Sequence, residues 1–380
     1  MFRRLLLGIT LFALPFQLSK YFWLEGSSIA GLRLDLLAFR ITFTDLLVLA
    51  CLITFLVKNS LPSKLTISLL ILFLTSLSAS PTLLTLLQTA KFVCYVLFSY
   101  SLTQIPKVTS LFLNALKFQI PLLLGLTIYQ LYAQQSVNGI FYYLGERFFD
   151  TATLNLARIY NFIRPMATFS HPNSLAGYSL IIYFYLHSTN KFPLVRFLTL
   201  ALIVLTFSKA ALLGLIIYHL IRSANKTLII FSTLVIFLLI AYTWPSSSIE
   251  YRLTQYQNLK IPTFTQLLTG VGYQNSIHFS SQNLPSTQLN YQNLQPIHNT
   301  ILLYLVEFGL VGFILIYLNK HYCYELTRKH LPITIGLLPT LLFDHYWWTL
   351  SQNQLIMLTI IAILSYEKFS SHHHPLRWRF

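Results

Sequence analysis

Long apolar runs separated by short polar linkers dominate the chain. Runs rich in Leu, Ile, Val and Phe recur at roughly 5–23, 41–58, 62–79, 87–103, 109–133, 173–187, 193–208, 209–222, 227–244, 299–318, 330–343 and 353–366. Each approaches the ~20 apolar residues with which an α-helix spans a bilayer. The pattern predicts an all-α polytopic membrane protein of about twelve transmembrane helices, forming one membrane domain over residues 1–380. The runs are continuous and do not alternate, so they do not fit the short strands of a transmembrane barrel. The two runs that meet at Ser208-Lys209 are short enough to be one broken element. No internal repeat is apparent, which weighs against an inverted-repeat transporter.

An even number of spans puts both termini on one side. Alternate linkers then collect Arg3, Arg4, Lys107, Arg196, Arg222 and Arg328, among other basic residues. These are short linkers, so the excess of Lys and Arg makes that side cytoplasmic. Three longer connections fall on the opposite face, at 24–40, 134–172 and 245–297. Long connections often carry function. In 134–172 the aromatic residues Phe141, Tyr142, Tyr143, Phe148 and Phe149 suggest a helix lying in the bilayer interface. In 245–297, Ser246, Ser247 and Ser248 can cap a helix beginning near Glu250. Gly270-Val271-Gly272 makes a turn, and Gln- and Asn-rich sequence beyond it suggests a mobile stretch.

Composition agrees with the pattern. Only 9% of residues are charged and 55% are hydrophobic, with mean hydropathy +0.62. An ordinary soluble domain carries about a quarter charged residues. The net charge of +16 reflects topology first, and leaves Arg and Lys on the outer face that suit an anion. No basic tract is dense enough to suggest nucleic-acid binding. The three cysteines, Cys51, Cys94 and Cys323, form neither a metal spacing nor a disulfide framework. The start, Met-Phe-Arg-Arg before an apolar run, reads as a first anchor, since no clear small-x-small cleavage site follows.

Four places carry candidate chemistry. Arg164 to Gly177 contains His171-Pro172-Asn173 and leads into an apolar run. A helix start with Pro, Asn and a nearby Arg is a competent anion site, although Arg164 can equally reach lipid headgroups. Lys209 is an isolated charge among apolar residues, so it needs an anionic ligand or a carboxylate such as Asp45, Asp344 or Glu307. Arg252, in the same connection as His298, is either a solvated charge or an anion contact. His298-Asn299 stands at the mouth of an apolar run in which Gly309 and Gly312 would let another helix approach closely. An imidazole near pKa 6.5 suits proton abstraction from a hydroxyl at neutral pH, and an interfacial polar residue is the other reading. Asp344-His345, followed by Trp347 and Trp348, reads as a structural pair at an aromatic belt. There is no Asp-x-Asp, Walker motif, Gly-x-Ser-x-Gly or His-Glu-x-x-His.

Taken in order, these elements resemble the O-antigen ligase family and its polymerase relatives. The family signature is His, then Asn, Ser or Gln, then nine residues and Gly-x-x-Gly. Here His298-Asn299, Thr300 to Phe308 and Gly309-Leu310-Val311-Gly312 fit it without a gap. Arg164 to Gly177 resembles the family's Arg…Thr-Phe-x-His-Pro-Asn stretch, and Ser208-Lys209 its Ser-Arg or Ser-Lys pair. Arg252 with Gly270-Val271-Gly272 is similar to its Arg-plus-Gly-x-Gly loop. The resemblance, clearest from about 160 to 320, implies a GT-C-like, metal-independent, inverting glycosyltransferase with no cofactor, in a bacterial inner membrane. It implies a glycan donor on undecaprenyl diphosphate. The acceptor hydroxyl would belong to lipid A–core, another lipid-linked glycan, or a protein Ser/Thr. His298 would be the catalytic base; Arg164, Arg252 and Lys209 would bind the donor diphosphate; His171, Asn173 and Asn299 would support them. A transporter or flippase of an anionic solute or lipid-linked glycan is the reading from another class.

Overall fold

The computed structural model describes the chain except for residues 56–60, 154–156, 160, 223–251, 253–254, 257–261, 283, 292 and 372–380. The run at 227–244 and the helix expected to begin near Glu250 lie outside the described residues. The protein is mainly helical. Helices α1 (Phe2–Ala13), α2 (Phe43–Phe55), α3 (Ser63–Ala79), α4 (Leu83–Leu102) and α5 (Val108–Ala133) form the first half. Helices α7 (Pro172–Thr189), α8 (Pro193–Leu205) and α9 (Lys209–Arg222) follow a short α6 (Ile140–Tyr143). The last part holds α10 (Phe264–Thr269), α11 (Ser276–Ser281), α12 (Thr300–Leu318), α13 (Lys320–Lys329), α14 (Leu331–Phe343), α15 (Tyr346–Thr349) and α16 (Ser351–Ser371).

Among the described residues, three helices are long and apolar enough to cross a membrane: α4, α5 and α12. Helices α2, α3, α8 and α14 are apolar but shorter. Each apolar run within the described residues contains a helix, although the first, 5–23, is helical only to Ala13 and Ser19–Phe22 forms a strand; the Ser208-Lys209 junction separates two helices. There Thr206 closes α8, Phe207 takes a positive φ of 52°, and α9 starts afresh at Lys209.

Helix α7 is the hub. From Ser174 to Leu186 every residue is buried, so the helix has no polar outer stripe and belongs in a core. Helices α8, α9 and α16 pack on it, α8 also meets α5, and α5 meets α1. The closest crossing is between α9 and α14. A Cβ on Gly214 would lie 2.2 Å from the Gly336 carbonyl oxygen, so both helices need glycine to approach this closely. Gln119 shows how an amide is accommodated in the core. Gln119 donates to the carbonyls of Leu11 and Phe12 at 2.8 Å each and accepts from the Tyr178 hydroxyl at 3.0 Å. Without water in a bilayer, such pairing is what keeps a buried amide tolerable.

The outer connections differ from the all-α expectation. The connection at 24–40 is a small β unit. Strands β1 (Ser19–Phe22) and β4 (Phe39–Thr42) pair antiparallel, with Ser19 opposite Thr42, and enclose the pair β2 (Ser28–Ile29) and β3 (Leu32–Arg33). Segment 134–172 is not an interfacial helix. Among its described residues it holds the single turn α6 and a hairpin of β5 (Arg158–Ile159) with β6 (Phe162–Ile163). Such short pairs rest on cross-strand partners rather than local periodicity.

Gly309 does let another helix approach, since a Cβ there would lie 2.5 Å from the Leu267 carbonyl oxygen of α10, whereas Gly312 faces Tyr304 and Phe308 of its own helix. Gly309 has φ 52° and ψ −143°, which kinks α12. Into this kink fits the end of α10. Val271 N–H donates to the Val306 carbonyl and Gly272 N–H to the Glu307 carbonyl, both at 3.0 Å. Gly270, Gly272 and Gly309 therefore form one interlocked joint between the large outer connection and α12.

Candidate functional site

The site is assembled on the segment before α7. Gln130 of α5 fixes it: its amide oxygen accepts from the Met166 and Ala167 N–H groups at 3.0 and 2.8 Å. Thr168 adds a hydroxyl bond to the Pro15 carbonyl at 2.6 Å, and its own carbonyl accepts from Gln17 at 2.6 Å. These bonds deliver Arg164 and His171 to the mouth of α7. His171 is the N-cap, its Nδ1 accepting from Asn173 N–H at 3.1 Å, with Pro172 in the first turn.

From there a polar chain crosses to the other end of the sequence. Arg164 donates through Nη2 to Asn173 Oδ1 at 2.7 Å and through Nε to the Thr206 carbonyl at 3.0 Å. Asn173 Nδ2 donates to Asp344 Oδ2 at 2.6 Å. Asp344 ends α14, its carbonyl accepts from Thr300 Oγ1 at 2.8 Å, and its Oδ1 accepts from His345 N–H at 3.0 Å. Asp344 thus links the starts of α7 and α12 to the end of α14. The Asp344-His345 pair is more than an aromatic-belt feature; the sequence reading had no way to see that Asn173 lies opposite it.

His298 stands one residue before the N-cap of α12. Its ring meets the His345 ring edge-on, with centroids 4.9 Å apart and planes at 87°. Its Nδ1 lies 3.0 Å from Gln255 Oε1, while Gln255 Nε2 faces the carbonyls of Gln295 and Pro296 at 3.4 and 3.3 Å. Because the Gln255 amide nitrogen serves those carbonyls, its oxygen is the acceptor toward His298. A proton on Nδ1 satisfies Gln255, and in that tautomer Nε2 is the basic nitrogen. His345 Nδ1 pairs with Thr349 Oγ1 at 2.7 Å.

Burial pushes the His298 pKa down to about 3, and His345 and Arg252 add to this against the opposing pull of Asp344. Burial likewise lowers His345 to about 4 and His171 to about 3. The His171 ring faces the cavity, with the surrounding protein close beside it. All three rings are neutral at pH 7. Burial brings Arg164 down to about 10, opposed by Asp344, and it stays charged.

These residues face one cavity of about 1740 Å³. Arg164, His171, Asn173, Lys209, Arg252 and His298 all line it, as do Asp344 and His345. Lys209 lies within electrostatic range of both Arg164 and Arg252, and Arg252 within range of both His298 and His345. Arg164, Lys209 and Arg252 thus share this part of the cavity, with Asp344 near Arg164, a balance that favours an anion. Asn299 is different: it does not line the cavity, and its Oδ1 caps α12 by accepting from Leu302 N–H at 2.9 Å.

Two of the carboxylates proposed for Lys209 are engaged elsewhere. Asp45 forms an ion pair with Lys91 at 2.7 Å. Glu307 is wholly buried and accepts from Trp348 Nε1 at 2.7 Å and Ser276 Oγ at 3.0 Å. The sequence reading missed Lys91 and Gln255. Lys91 stands in an apolar run much as Lys209 does, and that signal was present; Gln255 is one of many glutamines and carries none. No protein-family model matches this chain, and no curated protein matches it.

Proposed function

We propose that this protein is a membrane glycosyltransferase that moves a glycan from a polyprenyl diphosphate, undecaprenyl diphosphate in a bacterial inner membrane, to an acceptor hydroxyl at the extracytoplasmic face. The observation that carries the reading is the convergence of Arg164, Lys209, Arg252 and His298, far apart in sequence, on the lining of one cavity. In this reading the eleven longer helices described and the run at 227–244 make up the twelve spans of a GT-C-like domain with both termini cytoplasmic.

The chemistry is a single displacement. The acceptor oxygen bonds to the anomeric carbon as the bond from that carbon to the diphosphate oxygen breaks. His298 Nε2 takes the hydroxyl proton, and the polyprenyl diphosphate leaves with the electron pair. Attack opposite the leaving group inverts the anomeric centre. Negative charge grows on the diphosphate as it departs, and Arg164, Arg252 and Lys209 stabilise it where it develops. Each charge-assisted bond contributes about 1.5–3 kcal/mol. Asp344 acts through its neighbours: through Asn173 it holds the Arg164 fork, and it orients the backbone that carries His345.

The direct test is transfer in proteoliposomes from a radiolabelled polyprenyl-diphosphate oligosaccharide, with lipid A–core, a second lipid-linked glycan and a Ser/Thr peptide offered separately in EDTA. Transfer with inversion that persists in EDTA is expected. Cleavage only in the presence of a restored divalent cation would remove the metal-independent mechanism.

The pH dependence follows from the lowered imidazole values. In the free protein His298 is neutral well below pH 6.5, so kcat/KM should stay flat from about pH 8 to pH 5, with its acid limb below pH 5. Bound diphosphate adds negative charge beside the ring and raises its pKa. The acid limb of kcat should therefore lie at higher pH than that of kcat/KM. The same depressed values make the fold sensitive to acid. Their contribution to stability is complete above the unfolded value of about 6.5 and is lost as pH falls toward about 3–4. Coincident acid limbs near pH 6.5 in both profiles would exclude this assignment.

A further inference from the structure

The cavity is larger than one small substrate needs. Sites for small ligands usually span about 300–1,000 Å³, against the 1740 Å³ found here. Its lining also carries a second set of cations, on elements that take no part in the His298 cluster. Arg33 is on β3, Arg40 on β4, and Arg147 follows the turn α6.

Local bonds hold this face together. Arg40 Nη1 donates to Gln17 Oε1 at 3.3 Å, and Gln17 N–H donates to the Leu144 carbonyl at 3.2 Å, which ties the Arg147 loop beside Arg40. Gly145 makes the contact possible: it has φ 93°, and a Cβ there would lie 2.6 Å from Gln17 N. Lys91 serves as scaffold, paired with Asp45 and donating to the Arg40 carbonyl at 2.6 Å. Arg158 is spent on its own loop, donating to the Thr151 carbonyl at 2.8 Å. The Glu146 carboxylate is likewise engaged, with Val137 and Asn138 N–H at 2.8 Å.

What remains facing the cavity is Arg33, Arg40 and Arg147, with Asp35 as the nearby exposed carboxylate. Arg33 and Arg147 are exposed and donate no side-chain hydrogen bond among the described residues. Aromatic rings flank them. Arg40 lies 5.9 Å from the Tyr21 ring, Arg33 lies 5.6 Å from Trp23, and Tyr21 and Trp23 stack at 18°. A planar guanidinium matches phosphate or carboxylate by two parallel bonds, and a neighbouring ring offers an apolar face to a sugar's C–H face.

We propose that Arg33, Arg40 and Arg147, with Tyr21, form the acceptor subsite, and that the acceptor is an anionic saccharide bearing phosphate or carboxylate. This builds on the transferase reading, which assigns the donor diphosphate to Arg164, Lys209 and Arg252. Two anions in one cavity then need two separate sets of cations, and the acceptor hydroxyl reaches His298 from the β-unit side.

The test is calorimetric titration of the full chain in nanodiscs of neutral lipid, with inorganic pyrophosphate, methyl glucuronide and methyl glucoside as probes. Wild type is expected to bind two pyrophosphates. R33Q/R147Q should weaken one site tenfold or more and spare the other, and R252Q should do the reverse. Glucuronide binding that is sensitive to R33Q/R147Q, with no glucoside binding, would support a carboxylate; the same sensitivity for pyrophosphate alone would support a phosphate. In the transfer assay R33Q/R147Q should raise the acceptor KM tenfold or more at unchanged donor KM. A single pyrophosphate site lost only in R252Q, with no glucuronide binding sensitive to R33Q/R147Q, would overturn the second subsite and leave the donor reading standing. A single site lost only in R33Q/R147Q would overturn the donor placement, and the acceptor assignment with it. Thermal unfolding of each variant, matched to wild type, separates these outcomes from misfolding.

Discussion

Replacing His298 with Ala is expected to lower kcat for glycan transfer by about 10²–10⁴-fold, the usual contribution of a positioned general base. Donor affinity should change little, because the cations that hold the diphosphate stay in place. Loss should not be complete: the diphosphate is already a good leaving group, and Arg164, Arg252 and Lys209 still stabilise its charge. His298→Gln keeps most of the volume at the mouth of α12 without a basic nitrogen, so it should fall with Ala rather than with wild type. His345 touches the reacting base only by its ring edge, 4.9 Å between centroids. Its replacement by Phe preserves that edge contact, so the loss should be much smaller. Single-turnover transfer at saturating donor, at equal folded yield, makes the comparison. Transfer by His298→Ala at the wild-type rate would remove the general base and leave the cations alone to explain the reaction.

Gly270→Ala is expected to be the most damaging single methyl in the outer connection, and this prediction is independent of any function. Gly270 has φ 75° and ψ −167°, a region almost confined to glycine. A Cβ there would lie 2.1 Å from the Glu307 carbonyl oxygen and 2.4 Å from Phe308 N. Both are backbone atoms at the kink of α12, so no flexible side chain can swing away. Strain of about 1–3 kcal/mol and overpacking of about 1–3 kcal/mol together destabilise on the order of 2–6 kcal/mol. That is a large share of the roughly 5–15 kcal/mol available to a typical fold. Gly31→Ala is the control. Its φ is similar at 78°, but nothing lies within 4 Å of the added Cβ, so only the backbone strain remains. Denaturation midpoints in detergent should order the proteins wild type, Gly31→Ala, Gly270→Ala. Equal midpoints for the two variants would show that the interlock with α12 contributes nothing.

The Gly270 joint also shows where reading the chain alone succeeds and where it stops. Gly270, Gly272, Gly309 and Gly312 stand out in sequence, and the expectation was a turn in one place and a helix-packing face in the other. The structure joins them: the first pair docks its backbone into a kink made by Gly309. Periodicity along one segment carries no information about a partner that arrives from elsewhere. The β unit at 19–42 is a second case, since β1 and β4 are each four residues long and pair only because Asp45, Lys91 and Gln17 hold their ends. Segment 134–172 is a third. Its aromatic residues suggested an interfacial helix, yet Gln130 and Glu146 take up its backbone N–H groups and leave irregular chain.

Apolar runs by themselves determined the helical class and the position of every described long helix, because burying a continuous run without water forces the backbone to satisfy its own hydrogen bonds. Arg164, His171, Asn173, Lys209, Arg252 and His298 also stood out in sequence, Lys209 because a lone charge among apolar neighbours is costly and the others by their place in the motifs. What only the tertiary structure decided is which of them meet. Asp344 bridges Asn173 to the start of α12, Gln255 meets His298, Lys91 takes Asp45, and Asn299 caps α12. Those pairings depend on distances of a few ångströms between residues 43 to 171 positions apart, and such distances are set by how the helices pack, not by the order of residues along any one of them.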